Sequence, residues 1–250
     1  MNWGLNKYSF GIMLRAWAIV LVLLLGPLLY HVKPRLPISP TTHARSLNFD
    51  FLKTSIFWVL QAGNILQGLG FFIPNIYLPT YARSLGLSPI AGTVTVSLFN
   101  TASVFGQVIL GGLSDRVHVT TVILISTVGA TLSVFFLWGL SASLPLLCIF
   151  SLVYGLFAGG FTSTYTGVIR EIKKVDSRAE AGLVFGLLAA GRGVGSVVSG
   201  PLSEALLSEK PWVGEAFAGY GSGYGGLIVF TGISAMLSGV SWVGRRVGWI

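Results

Sequence analysis

Charge is what this chain of 250 residues has least of. Only 10% of its side chains are Asp, Glu, Lys or Arg, against roughly a quarter in an average soluble domain. A soluble globule of this size must cover itself with polar groups, and sixteen basic and eight acidic residues cannot do so. The scarcity excludes a soluble enzyme, a disordered chain and a nucleic-acid-binding module. Cysteine is almost as rare. The single thiol, Cys148, permits no intrachain disulfide and no cysteine metal site. His31, His43 and His118 lack the spacing of metal ligands. No Ser-His-Asp set and no phosphate loop occurs, so neither enzymatic chemistry nor a cofactor is expected. What remains is apolar: 53% hydrophobic residues with 33 glycines, the makeup of an integral membrane protein whose helices pack closely in lipid.

Uncharged windows locate the spans, since a spanning helix needs about 20 mostly apolar residues. Residues 16–32, 54–82, 84–114, 117–169 and 216–244 contain no charged side chain, and 181–203 contains only Arg192. The 117–169 window is long enough for two spans, divided at Ser141-Ala142-Ser143-Leu144-Pro145. Seven spans follow, at about 11–30, 55–80, 90–113, 118–138, 144–168, 181–204 and 225–244. The fold class is therefore all-α and membrane-spanning. Lys33-Pro34-Arg35 after the first span offers no small-residue cleavage site, so that span reads as retained rather than as a signal peptide.

Basic residues orient the spans. Lys33, Arg35, Arg45, Lys53, Arg116, Arg170, Lys173, Lys174, Arg178, Arg245 and Arg246 fall on one side, and Lys7, Arg15, Arg83 and Lys210 on the other. Eleven against four places the N-terminus outside or in a lumen and the C-terminus in the cytosol. Seven spans in this orientation also describe a G-protein-coupled receptor. Against that, the lone cysteine forbids an extracellular disulfide, and the last span has no Asn-Pro and no tyrosine near its cytosolic end. The alternative division is one span, a basic linker, and six closely spaced spans. Six spans after a cytosolic linker make one half of a twelve-span transporter.

Several segments in order carry a resemblance. They are KPRLP at 33–37, FFIPNIYLPTYARSLGLSP at 71–89, SLFNTASVFGQVILGGLSDR at 97–116, YGLFAGGFTSTYTG at 154–167 and GRGVGSVVSGPLSEALL at 191–207. Together they resemble the major facilitator superfamily, most of all its fungal monocarboxylate-porter-like branch. The resemblance implies spans six to twelve of such a transporter. Residues 1–30 would be span six, 31–53 the cytosolic central loop, and 54–250 the six-helix C-terminal half. It implies transport of small organic solutes, monocarboxylate-like ones among them, by alternating access. The setting would be a plasma, vacuolar or other organellar membrane. Its partners would be lipid, the solute, and a missing N-terminal half or a second copy. A half-protein that transports nothing, and acts as a regulatory or pseudo-transporter fragment, is the alternative.

The resemblance also assigns roles. Gly111, Asp115 and Arg116 match a loop motif that acts as a cytosolic gate in the family, although Val117-His118-Val119 departs from its continuation. From the residues alone, Asp115 can cap the next helix or pair with a cytosolic base. Gln61, Asn64 and Gln67 share a face of the second span, and Asn100, Ser103 and Gln107 a face of the third. These spans line the central cavity in the family, which makes Asn64, Gln67, Asn100, Gln107 and Tyr165 candidates for the solute path. Interhelical hydrogen bonding is the competing reading. The family's porters carry a Gly-Arg pair in the eighth span, where this chain has Gly106-Gln107, and glutamine cannot neutralise an anion. Arg192 is a further candidate. It lies near mid-membrane, where arginine costs roughly 2.5–3.5 kcal/mol. Its expected partner is a carbonyl, an acid of the missing half, or an anionic solute. Pro74 and Pro79 are expected to bend or end the second span. Gly155 with Gly159, Gly182 with Gly186, and Gly191 with Gly195 are expected at close helix crossings.

Overall fold

The computed structural model describes residues 10–31, 48–209 and 212–248. Most of the expected central loop, with Lys33, Arg35 and Arg45, lies outside the described residues, as do Lys7 and Lys210. The described residues contain helices and no strand, and seven segments are long and apolar enough to cross a membrane. Contacts divide the chain at residue 46. The first unit holds α1 (Phe10–His31), a Leu- and Val-rich helix.

The second unit holds the other six spans. They are α2 (Ser55–Ser84), α3 (Pro89–Arg116), α4 (Val119–Leu132) with a π turn over Ser133–Trp138, α5 (Leu144–Gly159) continued by a 3-10 turn over Gly160–Thr164 and by α6 (Tyr165–Val175), α7 (Ala181–Glu209), and α8 (Gly225–Leu237) continued by α9 (Val240–Val247). Proline at the first turn of α3 and of α5 fits helix starts, where its missing N–H costs nothing.

The prolines of α2 do not end it. The helix runs unbroken for 30 residues, about 45 Å at 1.5 Å per residue. Pro74 cannot donate to the Gly70 carbonyl four residues earlier. The Tyr154 hydroxyl from α5 donates to that oxygen instead, at 3.4 Å. Breaks elsewhere are satisfied in the same way, as membrane depth requires. The Phe135 carbonyl in the π turn accepts from the Tyr220 hydroxyl at 2.9 Å. Two carbonyls at the end of α5, Phe157 and Ala158, accept from Ser126 at 2.7 Å and Gln67 at 3.1 Å.

Glycine sets two of the helix crossings. A Cβ at Gly106 would overlap the Leu156 carbonyl, and one at Gly155 the Phe99 carbonyl, so α3 and α5 touch backbone to backbone. Gly195 does the same for α7 against α2, where a Cβ would overlap the Ile65 carbonyl, and Gly191 makes room for the Gln61 side chain. Gly182 and Gly186 correct the expectation, because nothing lies within 4 Å of a Cβ at either position. They sit on the open side of α7. One core cluster gathers Tyr81, Trp138, Phe150 and Tyr154. The other gathers Phe51, Phe57, Val168 and Ile172. Beside the second cluster, contacts join Asn48 to Asp176, Asp50 to Arg178, Arg170 to Ser114, His118 to Glu171 and Arg245 to Thr120. One end of the unit thus collects the charged flanks.

Candidate functional site

Arg192 lies midway along α7, twelve residues from Glu180 and twelve from Glu204, or about 18 Å of helix rise each way. No ion pair joins it to an acid among the described residues. Its Nη1 donates to the Gln67 side-chain oxygen on α2. Its guanidinium carbon lies 4.6 Å from the centre of the Phe71 ring, within cation–π range. The sequence suggested a carbonyl, a foreign acid or a solute as partner. The fold supplies a neutral amide and an aromatic face from the neighbouring span.

Asn64 and Gln67 are not on an open cavity wall, as the sequence reading placed them. They are 2% and 6% exposed and lie between helices. Asn64 donates to the Leu188 carbonyl at 2.7 Å and accepts from the Tyr165 hydroxyl at 2.8 Å. Gln61, one turn earlier, donates to the Leu187 carbonyl at 2.8 Å. The cause is α2's position against both α7 and the broken fifth span, whose backbone oxygens are the nearest acceptors. The shared face was legible in the sequence. Its direction was not, because a polar stripe faces helix carbonyls and a water-filled path with equal ease.

A cavity of about 630 Å³ opens beside this layer, lined among others by Phe72, Gln107, Tyr165, Phe185, Arg192 and Ser196. The structure therefore brings Gln107, Tyr165 and Arg192 together. Asn100 does not line this cavity. It lies two turns of α3 away from Gln107, exposed, with its amide donating to the Val96 carbonyl of its own helix at 2.9 Å. Phe72 and Phe185 on the cavity wall, and Phe71 under the guanidinium, were missed, since an aromatic residue in an apolar span carries no sequence signal of its neighbours.

The loop motif also needs correction. Asp115 does not cap α4. His118 does, accepting from the Thr120 N–H at 3.3 Å. Asp115 and Arg116 are exposed and form no ion pair among the described residues. Gly111 lies against Ser163, with a Cβ there meeting the serine Cβ at 3.4 Å. One link between spans at this end is Arg170, at the far end of the broken span, which donates to the Ser114 carbonyl at the C-terminal end of α3. A cation there also complements the helix dipole. Glu171 beside it takes Lys174 at 2.8 Å and faces His118 at 3.5 Å. No motif match flagged Arg170 or Glu171. A basic and an acidic residue just after a span were available as a signal.

Burial outweighs the pull of Glu171 and holds the His118 pKa below the ordinary imidazole value of 6.5. At neutral pH the contact is a neutral ring against a carboxylate. The unfolded chain binds this proton more tightly than the folded one, so stability present above the unfolded value is lost as the pH falls through about 6.5 toward the depressed folded value. Melting temperature should drop over that window. His118→Asn, which keeps a capping acceptor, should flatten the dependence, and an unchanged slope in the variant would assign it to another group.

Comparison with known proteins decides the family. Residues 60–247 match the family model of the Major Facilitator Superfamily. The chain belongs to this superfamily. With its seven spanning helices it is an integral, multi-pass membrane protein. It is 27% identical to an MFS-type transporter of Aspergillus niger, pynF, over 84% of this chain and 48% of the relative. It is 25% identical to the aspyridones efflux protein of Emericella nidulans, over 93% of this chain and 45% of the relative. The human monocarboxylate transporter 11 is 28% identical over 73% of this chain and 43% of the relative. The chain spans about half the length of the curated relatives it matches.

Proposed function

We propose that this chain is the C-terminal half, spans six to twelve, of a secondary transporter that moves small organic solutes by alternating access. The observation that carries the reading is Arg192, held mid-helix at the wall of an open cavity that also displays Gln107 and Tyr165. In major facilitator architecture the path runs between two six-span halves, so the cavity here would be one wall of that path. The other wall would come from an N-terminal half, or from a second copy. The matches to named transporters and to an efflux protein support the class. The gathering of basic flanks at one end supports a cytosolic C-terminus.

The test is complementation in yeast vesicles with fluorescein, an organic anion, as transported probe. The chain co-expressed with the N-terminal half of the Aspergillus niger relative should co-purify with it and move the dye, and the chain alone should not. Uptake by the purified chain as a monomer overturns the half-transporter reading. Stable co-assembly that moves neither fluorescein nor a panel of neutral solutes favours the non-transporting fragment. Topology is checked separately with a cysteine at position 40 in a Cys148→Ser background. Labelling from the outer side overturns the orientation.

A further inference from the structure

The amide of Gln67 is used at both ends. Its nitrogen donates to the Ala158 carbonyl at 3.1 Å, and its oxygen accepts from Arg192. This fixes the amide's direction, because a flipped amide would set oxygen against oxygen and an N–H against a cation. The side chain is buried, so neither bond can be exchanged for water. The Phe71 ring lies under the same guanidinium. Every described contact of the Arg192 guanidinium is thus to a neutral group. A guanidinium has five N–H donors, and one nitrogen is committed to Gln67 while the residue still lines the open cavity.

The choice of glutamine at this position has a consequence for charge. Glutamate would be nearly the same size. It would pair with Arg192, cancel its charge, and turn a carboxylate oxygen toward the Ala158 carbonyl. Glutamine instead holds the guanidinium in place and leaves the positive charge whole. Gln107 and Ser196 add neutral hydrogen-bonding groups to the wall, and Phe72, Phe185 and Tyr165 add aromatic surface. We infer that Gln67 is the positioning and charge-selecting residue of this site, and that the solute it selects is an organic anion with an apolar or aromatic body. The inference rests on the reading of the cavity as the solute site.

Binding to the purified chain in nanodiscs tests it, with fluorescein as the organic anion and rhodamine 123 as a cation of similar size, both read by fluorescence anisotropy. Wild type should prefer the anion. Gln67→Glu should lower fluorescein affinity by at least about 30-fold and shift the preference toward the cation, because the added carboxylate cancels the site's charge. Gln67→Met keeps the volume and the cationic site but loses both bonds. It should weaken fluorescein binding by about 5- to 10-fold, with the anion still preferred. A merely structural role would lower both dyes alike in both variants. If Gln67→Glu fails to fold, judged by helix content, the methionine variant decides, and unaltered fluorescein affinity there overturns the proposal. Arg192→Leu separates the two levels. Loss of binding in Arg192→Leu with unchanged selectivity in Gln67→Glu overturns the role of Gln67 alone. No fluorescein binding by wild type, or full binding by Arg192→Leu, overturns the reading of the site and the inference with it.

Discussion

Arg192→Leu should abolish anion binding and transport in the assembled transporter while leaving the helical bundle folded. Hydrogen bonds to a charged group contribute about 1.5–3 kcal/mol each, and a two-toothed guanidinium grip makes two. Losing both costs about 3–6 kcal/mol, or two to four orders of magnitude in affinity. Stability should move the other way. A guanidinium near mid-membrane is unfavourable by roughly 2.5–3.5 kcal/mol, and its partners here are all neutral: the Gln67 amide oxygen, the Phe71 ring and the Tyr165 hydroxyl. Leucine removes that penalty, at the cost of the bonds to the Gln67 oxygen and the Tyr165 hydroxyl. Dye binding, uptake and a melting curve on the same preparation check both parts. Arg192→Lys should retain a fraction of the binding, since it keeps the charge and loses the planar fork. Normal transport by Arg192→Leu ends the assignment, and collapse of both variants makes the arginine structural.

Gly106→Leu should fail to assemble, and Gly106→Ala should cost about 1–3 kcal/mol by forcing α3 away from α5. The added Cβ meets a backbone carbonyl at Leu156, which cannot turn aside as a side-chain tip would. Gly182→Ala provides the contrast, because its Cβ meets nothing within 4 Å. There the substitution should gain up to about 1 kcal/mol from helix propensity. Thermal unfolding of the three variants in one detergent measures the difference. Equal behaviour of Gly106→Ala and Gly182→Ala would mean that the α3–α5 crossing is looser than the structure has it.

These two glycines show how far the sequence could be read. Both belong to small-residue patterns in apolar spans, and only the fold separates the one at a crossing from the one on an open face. The spans themselves were legible, because charge is excluded from lipid so strongly that uncharged windows fall close to the helices. Breaks inside spans were harder. The π turn at Ser133–Trp138 is built from residues no different in polarity from their neighbours, and the hydroxyls of the 3-10 turn at Gly160–Thr164 are equally at home in a regular helix. What permits them is a donor on another helix. Arg192 was legible as a candidate because a lone charge in an apolar window needs an explanation. Its pairing with Gln67 depends on two spans lying side by side, which periodicity within either one does not encode. The cap at this loop was misread for a related reason. Asp115 carries the resemblance, yet it is His118 that caps α4, and a bond to the end of α3 comes from Arg170, more than fifty residues further along.

Pro74 has a mechanical meaning that its position in the sequence conceals. A proline within a span is ordinarily a swivel, since the missing bond lets the halves of the helix pivot. Here the Tyr154 hydroxyl stands in for that bond from another helix, and the swivel is pinned. Flexing of α2 at this point then depends on whether α5 stays close, so any movement that draws the two spans apart also loosens the hinge. Bending and separation become one event rather than two, as in a folding rule whose joint turns only when a catch is lifted.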